Sequence, residues 1–210
     1  MKTCYIFGAA EGLPESFTKE KDDIIIAADA GFLHLEKLGI KPDIVLGDFD
    51  SLGEIPDFNE IIKHPVKKDD TDTLLAVKTG FERGFKRFVL YGCAGKRLDH
   101  TFANIQTLYY IAERGGEAFL CGDDFTATAI KNGKILFTDK ANGNISVFAG
   151  GEKAKNVNIK GLSYELENAE IGYDFPVGVS NEFVGLNSEI SVNDGMILVI
   201  WSGGLDFIKK

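Results

Sequence analysis

The sequence predicts an α/β domain built on a mainly parallel sheet with flanking helices, followed by an antiparallel all-β domain, a sandwich or a barrel. Three observations carry this. Short, nearly continuous apolar runs alternate with helical patterns up to about residue 120. Beyond about residue 123 the helical period is lost, and β-like runs are separated by Asn-Gly, Gly-Gly or Asp-Gly. Acidic residues gather at the ends of the first-half runs, where ligands of open parallel sheets bind.

The runs TCYIFG (3–8), IIIAAD (24–29), DIVLGD (43–48), RFVLYG (87–92) and EAFLCG (117–122) lack alternation, as expected of strands covered on both faces. Helices are expected between them. Leu74, Val77 and Phe81 recur at spacings of three and four over 70–83, as do Phe102, Ile105, Tyr109 and Ala112 over 99–114. Strand, helix and strand repeated in this way indicate a parallel sheet. The second half reads FTATAIK, GKILFTD, NISVFAG, NVNIKG, SYELEN, VSNEFVG, SEISVN and MILVIWS, punctuated by turn residues. The boundary falls between 120 and 135 and is set at 125/126, giving domains 1–125 and 126–210. No repeat, low-complexity tract or long linker is present.

Composition narrows the function classes. The 210 residues are 44% apolar and 26% charged, ordinary for a globular protein. No apolar run approaches the roughly 20 residues needed to span a bilayer, and the N-terminal run is too short for a signal segment. Cys4, Cys93 and Cys121 lack C-x-x-C spacing, so neither a disulfide framework nor a zinc site is expected, and a cytoplasmic protein is. The net charge of −9 argues against a nucleic-acid partner. It leaves room for a small phosphorylated ligand neutralised by metal ions and local Lys or Arg.

Four acidic places stand out: Asp29 in AADAG, Asp48 and Asp50 in LGDFDS, Asp69, Asp70 and Asp72 in KKDDTDT, and Asp99 in GKRLDH. Singly each has a plain explanation. Asp72 or Asp99 caps a helix, Asp50 makes a turn, and Asp29 bonds its own loop. Together they call for a cation, because clustered carboxylates repel and are desolvated. In an extended stretch Asp48 and Asp50 face the same way, and hard oxygen ligands of this kind suit Mg²⁺ bridging to phosphates. Lys67, Lys68, Lys96 and Arg97 adjoin the acids, the pairing that phosphoryl transfer needs; the alternative is a solvated charged loop. There is no P-loop, G-x-G-x-x-G or G-x-S-x-G. His34, His64 and His100 have no metal-type spacing; His34 is placed on a helix in a structural role.

AADAG, LGDFDS, KKDDTDT and GCAGKRLDHTFAN, in this order and spacing, with SNE at 180–182, resemble the thiamine pyrophosphokinase family over essentially the whole chain. The resemblance implies an α/β catalytic domain and a β-sandwich domain. It also implies Mg-dependent transfer of pyrophosphate from ATP to the hydroxyl of thiamine, giving thiamine diphosphate and AMP. Asp48, Asp50, Asp72 and Asp99 become the metal- or phosphate-site acids, the first three as metal ligands. Lys68 and Arg97 become phosphate contacts, and Asp29 and Asn104 line the site. The vitamin site is implied to form with the β domain across a homodimer interface. Ser180 and Asn181 are its expected polar contacts, and Tyr173 and Trp201 are alternatives for the stacking face. For Trp201, ordinary strand packing weighs equally. Ala30 and Lys96 stand where the family usually has glycine.

Two other readings compete. A metal-dependent phosphohydrolase would use Asp48 as nucleophile, but its Asp-x-Asp follows the first strand and continues to Thr or Val, whereas this one follows the third and continues to Ser51. A non-catalytic nucleotide- or thiamine-binding module would keep the fold and bind without turnover.

Overall fold

The structure is a computed structural model that describes residues 1–47, 60–63, 70–95 and 97–209. Asp48, Asp50, Lys68 and Lys96 lie outside the described residues. The chain forms two compact units, Met1–Thr107 with Leu120–Asp123, and Leu108–Phe119 with Asp124–Lys210. This differs from a single cut at 125/126. Residues 108–119 join the second unit because their contacts lie there: the Thr128 hydroxyl donates to the Ala118 carbonyl at 2.7 Å, and Lys131 pairs with Glu113.

In the first unit, β1 (Thr3–Phe7), β2 (Ile24–Ala28), β3 (Ile44–Gly47), β4 (Ile61–Lys63) and β5 (Arg87–Tyr91) form a sheet ordered β4-β3-β2-β1-β5. Every one of these pairs is parallel. The apolar runs are buried as their lack of alternation requires: β3 is buried at all four positions. Helix α1 (Gly31–Lys37) covers the sheet through Phe32 and Leu35, which pack with Phe7, Ile25, Ala27 and Val45. Helix α2 (Asp72–Glu82) starts at Thr71, whose hydroxyl accepts from the Leu74 N–H at 3.2 Å. It buries Ala76, Val77 and Gly80, and Phe81 packs on Phe88 of β5. Helix α3 (Leu98–Glu113) and β6 (Glu117–Cys121) follow, each with residues in both units. These are the three α-helices among the described residues, so the molecule is a mostly-sheet α/β protein.

In the second unit the strands pair antiparallel. The strands are β7 (Phe125–Phe137), β8 (Asn144–Ala149), β9 (Lys153–Lys160), β10 (Leu166–Gly172), β11 (Gly178–Glu182) and β12 (Ser188–Ser202). The Asn-Gly at 132–133 and Asp-Gly at 194–195 do not end strands. They face each other inside two long paired strands, β7 and β12, whose register shifts between Val192 and Met196. Asn132 takes φ 46° and Gly195 φ 112°, and the Gly195 N–H donates to Asn132 Oδ1 at 2.9 Å. Turn chemistry on both strands makes a bulge instead of a hairpin end. On one side of it β12 pairs with β9, on the other with β8.

Candidate active site

A cavity of about 660 Å³ opens at the carboxyl ends of β1, β2 and β5, as the parallel topology predicts. Its walls are Gly8–Glu11 after β1, Ala28 and Asp29 at the tip of β2, Thr71–Thr73 at the start of α2, Gly92–Gly95 after β5, and Arg97, His100, Thr101 and Asn104 at the start of α3. The loops after β1 and β5 are laced together. The Gly8 N–H donates to the Tyr91 carbonyl at 2.8 Å and the Ala10 N–H to the Gly92 carbonyl at 2.7 Å. Gly92 has φ 61°, and a Cβ there would lie 2.5 Å from the Gly8 oxygen, so this crossing requires glycine.

Asp29 also has positive φ, 53°, a conformation that Asp tolerates better than most residues. Its N–H donates to the Leu46 carbonyl at 2.7 Å, which ties the tips of β2 and β3. Ala30, by contrast, sits at φ −68° and ψ 4°, so its side chain costs nothing there. Asp72 lies in the first turn of α2 and lines the cavity, while the capping role belongs to Thr71. The first turns of α2 and α3 both border the space, and the partial positive charge of helix N-termini favours anions.

Arg97 and Asp99 are engaged with each other. The guanidinium donates through Nη2 to Oδ2 at 2.6 Å and through Nε to Oδ1 at 3.3 Å. Both side chains are about two-thirds exposed. The Arg97 hydrogen bond holds the Asp99 carboxyl below its usual range. Asp99 therefore flanks the cavity as the partner of Arg97. Asn104 is buried, and its Nδ2 donates to the Cys93 carbonyl at 2.6 Å.

Asp29, Asp72, Arg97 and Asn104 are thus brought to one cavity, with Asp99 at its edge. Asp48, Asp50 and Lys68 lie outside the described residues. Sequence reasoning missed Thr73, Cys93 and Thr101 as wall residues. Burial pushes the Cys93 thiol up to about 12, and the thiol sits 3.9 Å from the Thr73 hydroxyl. Thr101 carried a usable signal, since Arg97, Thr101 and Asn104 are spaced four and three along one helix face. His34 lines the cavity and its Nε2 lies 3.2 Å from the Ala9 carbonyl, which supports the loop after β1. Among the described residues no group of three or more His, Cys, Asp or Glu is placed to hold a metal.

The expected vitamin-site residues lie in the second unit. Ser180 is exposed at φ 59°, and its N–H donates to Ser146 Oγ at 3.2 Å. Tyr173 is 74% exposed. Asn181 is buried; its Oδ1 accepts from the Tyr164 and Glu182 N–H groups and its Nδ2 donates to the Tyr164 carbonyl. Trp201 is 1% exposed, packs edgewise on Phe119 and Phe137, and donates from Nε1 to the Gly204 carbonyl. Its surroundings are those of strand packing.

Residues 17–120 match the model of the thiamin pyrophosphokinase catalytic domain, and residues 134–197 that of the thiamin pyrophosphokinase vitamin B1 binding domain. The thiamine pyrophosphokinase of Bacillus subtilis is 27% identical over 213 residues, covering 96% of this chain and 99% of that protein. The solved structure of a thiamine pyrophosphokinase from Bacillus subtilis superposes with a TM-score of 0.85 at 25% identity, covering 97% of this chain and all of that one. The Candida albicans thiamin pyrophosphokinase, at 17% identity and a TM-score of 0.74 over 96% of this chain and 89% of that one, shares the fold. With both domain models matched in order over most of its length, the chain belongs to the thiamin pyrophosphokinase family.

Proposed function

We propose that the protein transfers the pyrophosphoryl group of ATP to the hydroxyl of thiamine, giving thiamine diphosphate and AMP. Family membership makes it a diphosphotransferase. The observation that carries the site assignment is the cavity itself, which joins Asp29 and Asp72 with Arg97 and two helix N-termini at the carboxyl ends of a parallel sheet. Its donors are carboxylate oxygens, the chemistry that suits Mg²⁺. Asp72 from the cavity wall, with Asp48 and Asp50, would hold the ion; β3 ends at Gly47, immediately before Asp48 in the chain. When bound, Mg²⁺ offsets negative charge on the phosphates.

The chain's own residues then bind and orient. Arg97 and Lys68 take phosphate oxygens, Asp29 and Asn104 shape the wall, and Asp99 holds the Arg97 guanidinium. The thiamine oxygen forms a bond to the β-phosphorus, the bond from that phosphorus to the bridging oxygen breaks, and AMP leaves with the bridging oxygen. The hydroxyl proton passes to a carboxylate. Asp99, its basicity lowered by Arg97, is better suited to holding that cation than to taking the proton. Positioning and charge neutralisation supply most of the acceleration.

On the vitamin side, the β-sandwich reading of the second unit supplies Ser180 and Tyr173 from exposed positions, while Asn181, next to Ser180 in the chain, is buried and bonded to backbone, and Trp201 belongs to the core. A homodimer is part of this proposal; exposed Tyr173, Phe175 and Val177 support it, since clustered exposed apolar side chains mark interaction surfaces. A cytoplasmic location is favoured by three buried free cysteines. The test is one incubation with thiamine, ATP and Mg²⁺, resolving the nucleotides. Equal AMP and thiamine diphosphate, abolished by Asp50→Asn, is the expected result. ADP or free phosphate without thiamine diphosphate overturns the proposal.

A further inference from the structure

We infer that Thr101 is a positioning residue for the nucleotide, acting through the loop after β5 without touching the ligand. The inference rests on reading the cavity as the ATP site. The loop Cys93–Ala94–Gly95 forms one wall and leads into α3. Two α3 side chains staple it. The Thr101 hydroxyl accepts from the Gly95 N–H at 3.1 Å, and Asn104 Nδ2 donates to the Cys93 carbonyl at 2.6 Å. The hydroxyl proton is also engaged, with the Arg97 carbonyl at 3.2 Å and the Gly95 carbonyl at 3.3 Å.

The one proton of the Thr101 hydroxyl and one of its two acceptor lone pairs are therefore spent on backbone, which leaves it no donor for a phosphate oxygen. What it contributes is order. Gly95 is a residue with little intrinsic conformational preference, and it sits where a strand-to-helix loop would meet phosphates. Without the staple, binding has to order this stretch and part of the binding energy is lost. The carbonyl of Arg97 belongs to the same knot, so the proposed phosphate-binding side chain is anchored by it too.

The test compares wild type with Thr101→Val, which keeps the shape and β-branching without the hydroxyl, and Thr101→Ser, which keeps the hydroxyl. Each is followed by the KM for ATP, the KM for thiamine, calorimetric titration with ATP and Mg²⁺, and Tm. Thr101→Val is expected to raise the ATP KM and Kd about three- to tenfold with the thiamine KM unchanged, and Thr101→Ser to restore them. Unchanged ATP affinity in Thr101→Val, or equal impairment in Thr101→Ser, overturns the inference. A parallel rise in both KM values with a fallen Tm also overturns it, because the residue would then be merely structural. Wild-type protein that binds ATP yet forms no thiamine diphosphate would strike the proposed reaction instead, and the titration arm would still decide Thr101.

Discussion

Gly31 opens α1, and an alanine placed there meets backbone. Its Cβ would lie 2.6 Å from the Phe7 carbonyl carbon and 3.0 Å from the Gly8 oxygen, with the Phe7 oxygen nearer still. β1 is hydrogen-bonded to β2 on one side and β5 on the other, so Phe7 does not yield and α1 must retreat. Carbon–oxygen contacts normally stand at about 3.3 Å or more, which sets the retreat on the order of 1 Å. Such a shift also loosens Phe32 and Leu35, the two α1 side chains packed in the core. Overpacking costs about 1–3 kcal/mol, and the loosened core adds to it, so about 3 kcal/mol is expected. At roughly 2–4 °C per kcal/mol for a chain of this size, the Tm of Gly31→Ala falls by about 6–12 °C. Differential scanning calorimetry measures it, with Ala30→Gly as the companion. Ala30 sits at ordinary negative φ, so its replacement costs only about 1 kcal/mol or less, through the unfolded chain. A Gly31→Ala protein melting with wild type, or an Ala30→Gly protein equally damaged, would refute the steric argument.

Two other outcomes are expected. Asp99 titrates below the ordinary carboxyl value of 3.8 because Arg97 bonds it. A lowered carboxyl contributes stability above its unfolded midpoint and loses it as pH falls through the folded one. Carboxyl-detected NMR should show the Asp99 midpoint rising toward the ordinary value in Arg97→Ala, and coincident midpoints would dismiss the pairing. Tyr173→Ala should raise the thiamine KM about five- to thirtyfold if the exposed ring faces the cationic vitamin. Trp201→Phe should leave that KM unchanged and cost about 1–2 kcal/mol of stability through the lost Nε1 hydrogen bond and packing; the reverse pattern would exchange the two roles.

Five parallel-sheet and connecting strands were legible as continuous apolar runs, and α2 and α3 as helical periods, because burial on both faces or on one stripe writes itself directly into residue order. The three-residue β4 and the seven-residue α1 were too short to carry a period of their own, although His34 pointed to a helix. The Asn-Gly and Asp-Gly pairs look like strand ends in the sequence because local turn chemistry is the same in a hairpin and in a bulge. Which one forms was decided by the partner strand, where Asn132 Oδ1 receives the Gly195 N–H.

The site divides along the same line. Asp29, Asp72 and Arg97 stand in acidic and basic clusters whose residue types suit phosphate chemistry, Asn104 entered only through the family resemblance, and the topology of a parallel sheet places strand tips and helix starts together. Those features depend on short-range pattern, which the sequence contains by itself. The assignment of Asp99 to Arg97, of Thr101 to the Gly95 N–H, and of Trp201 to a core between Phe119 and Phe137 depends on which groups meet in space. A hydroxyl, a carboxylate or an indole is spelled alike whether it faces a ligand or a neighbouring carbonyl, and only tertiary structure, by satisfying or leaving open its hydrogen bonds and its surface, decided between the two.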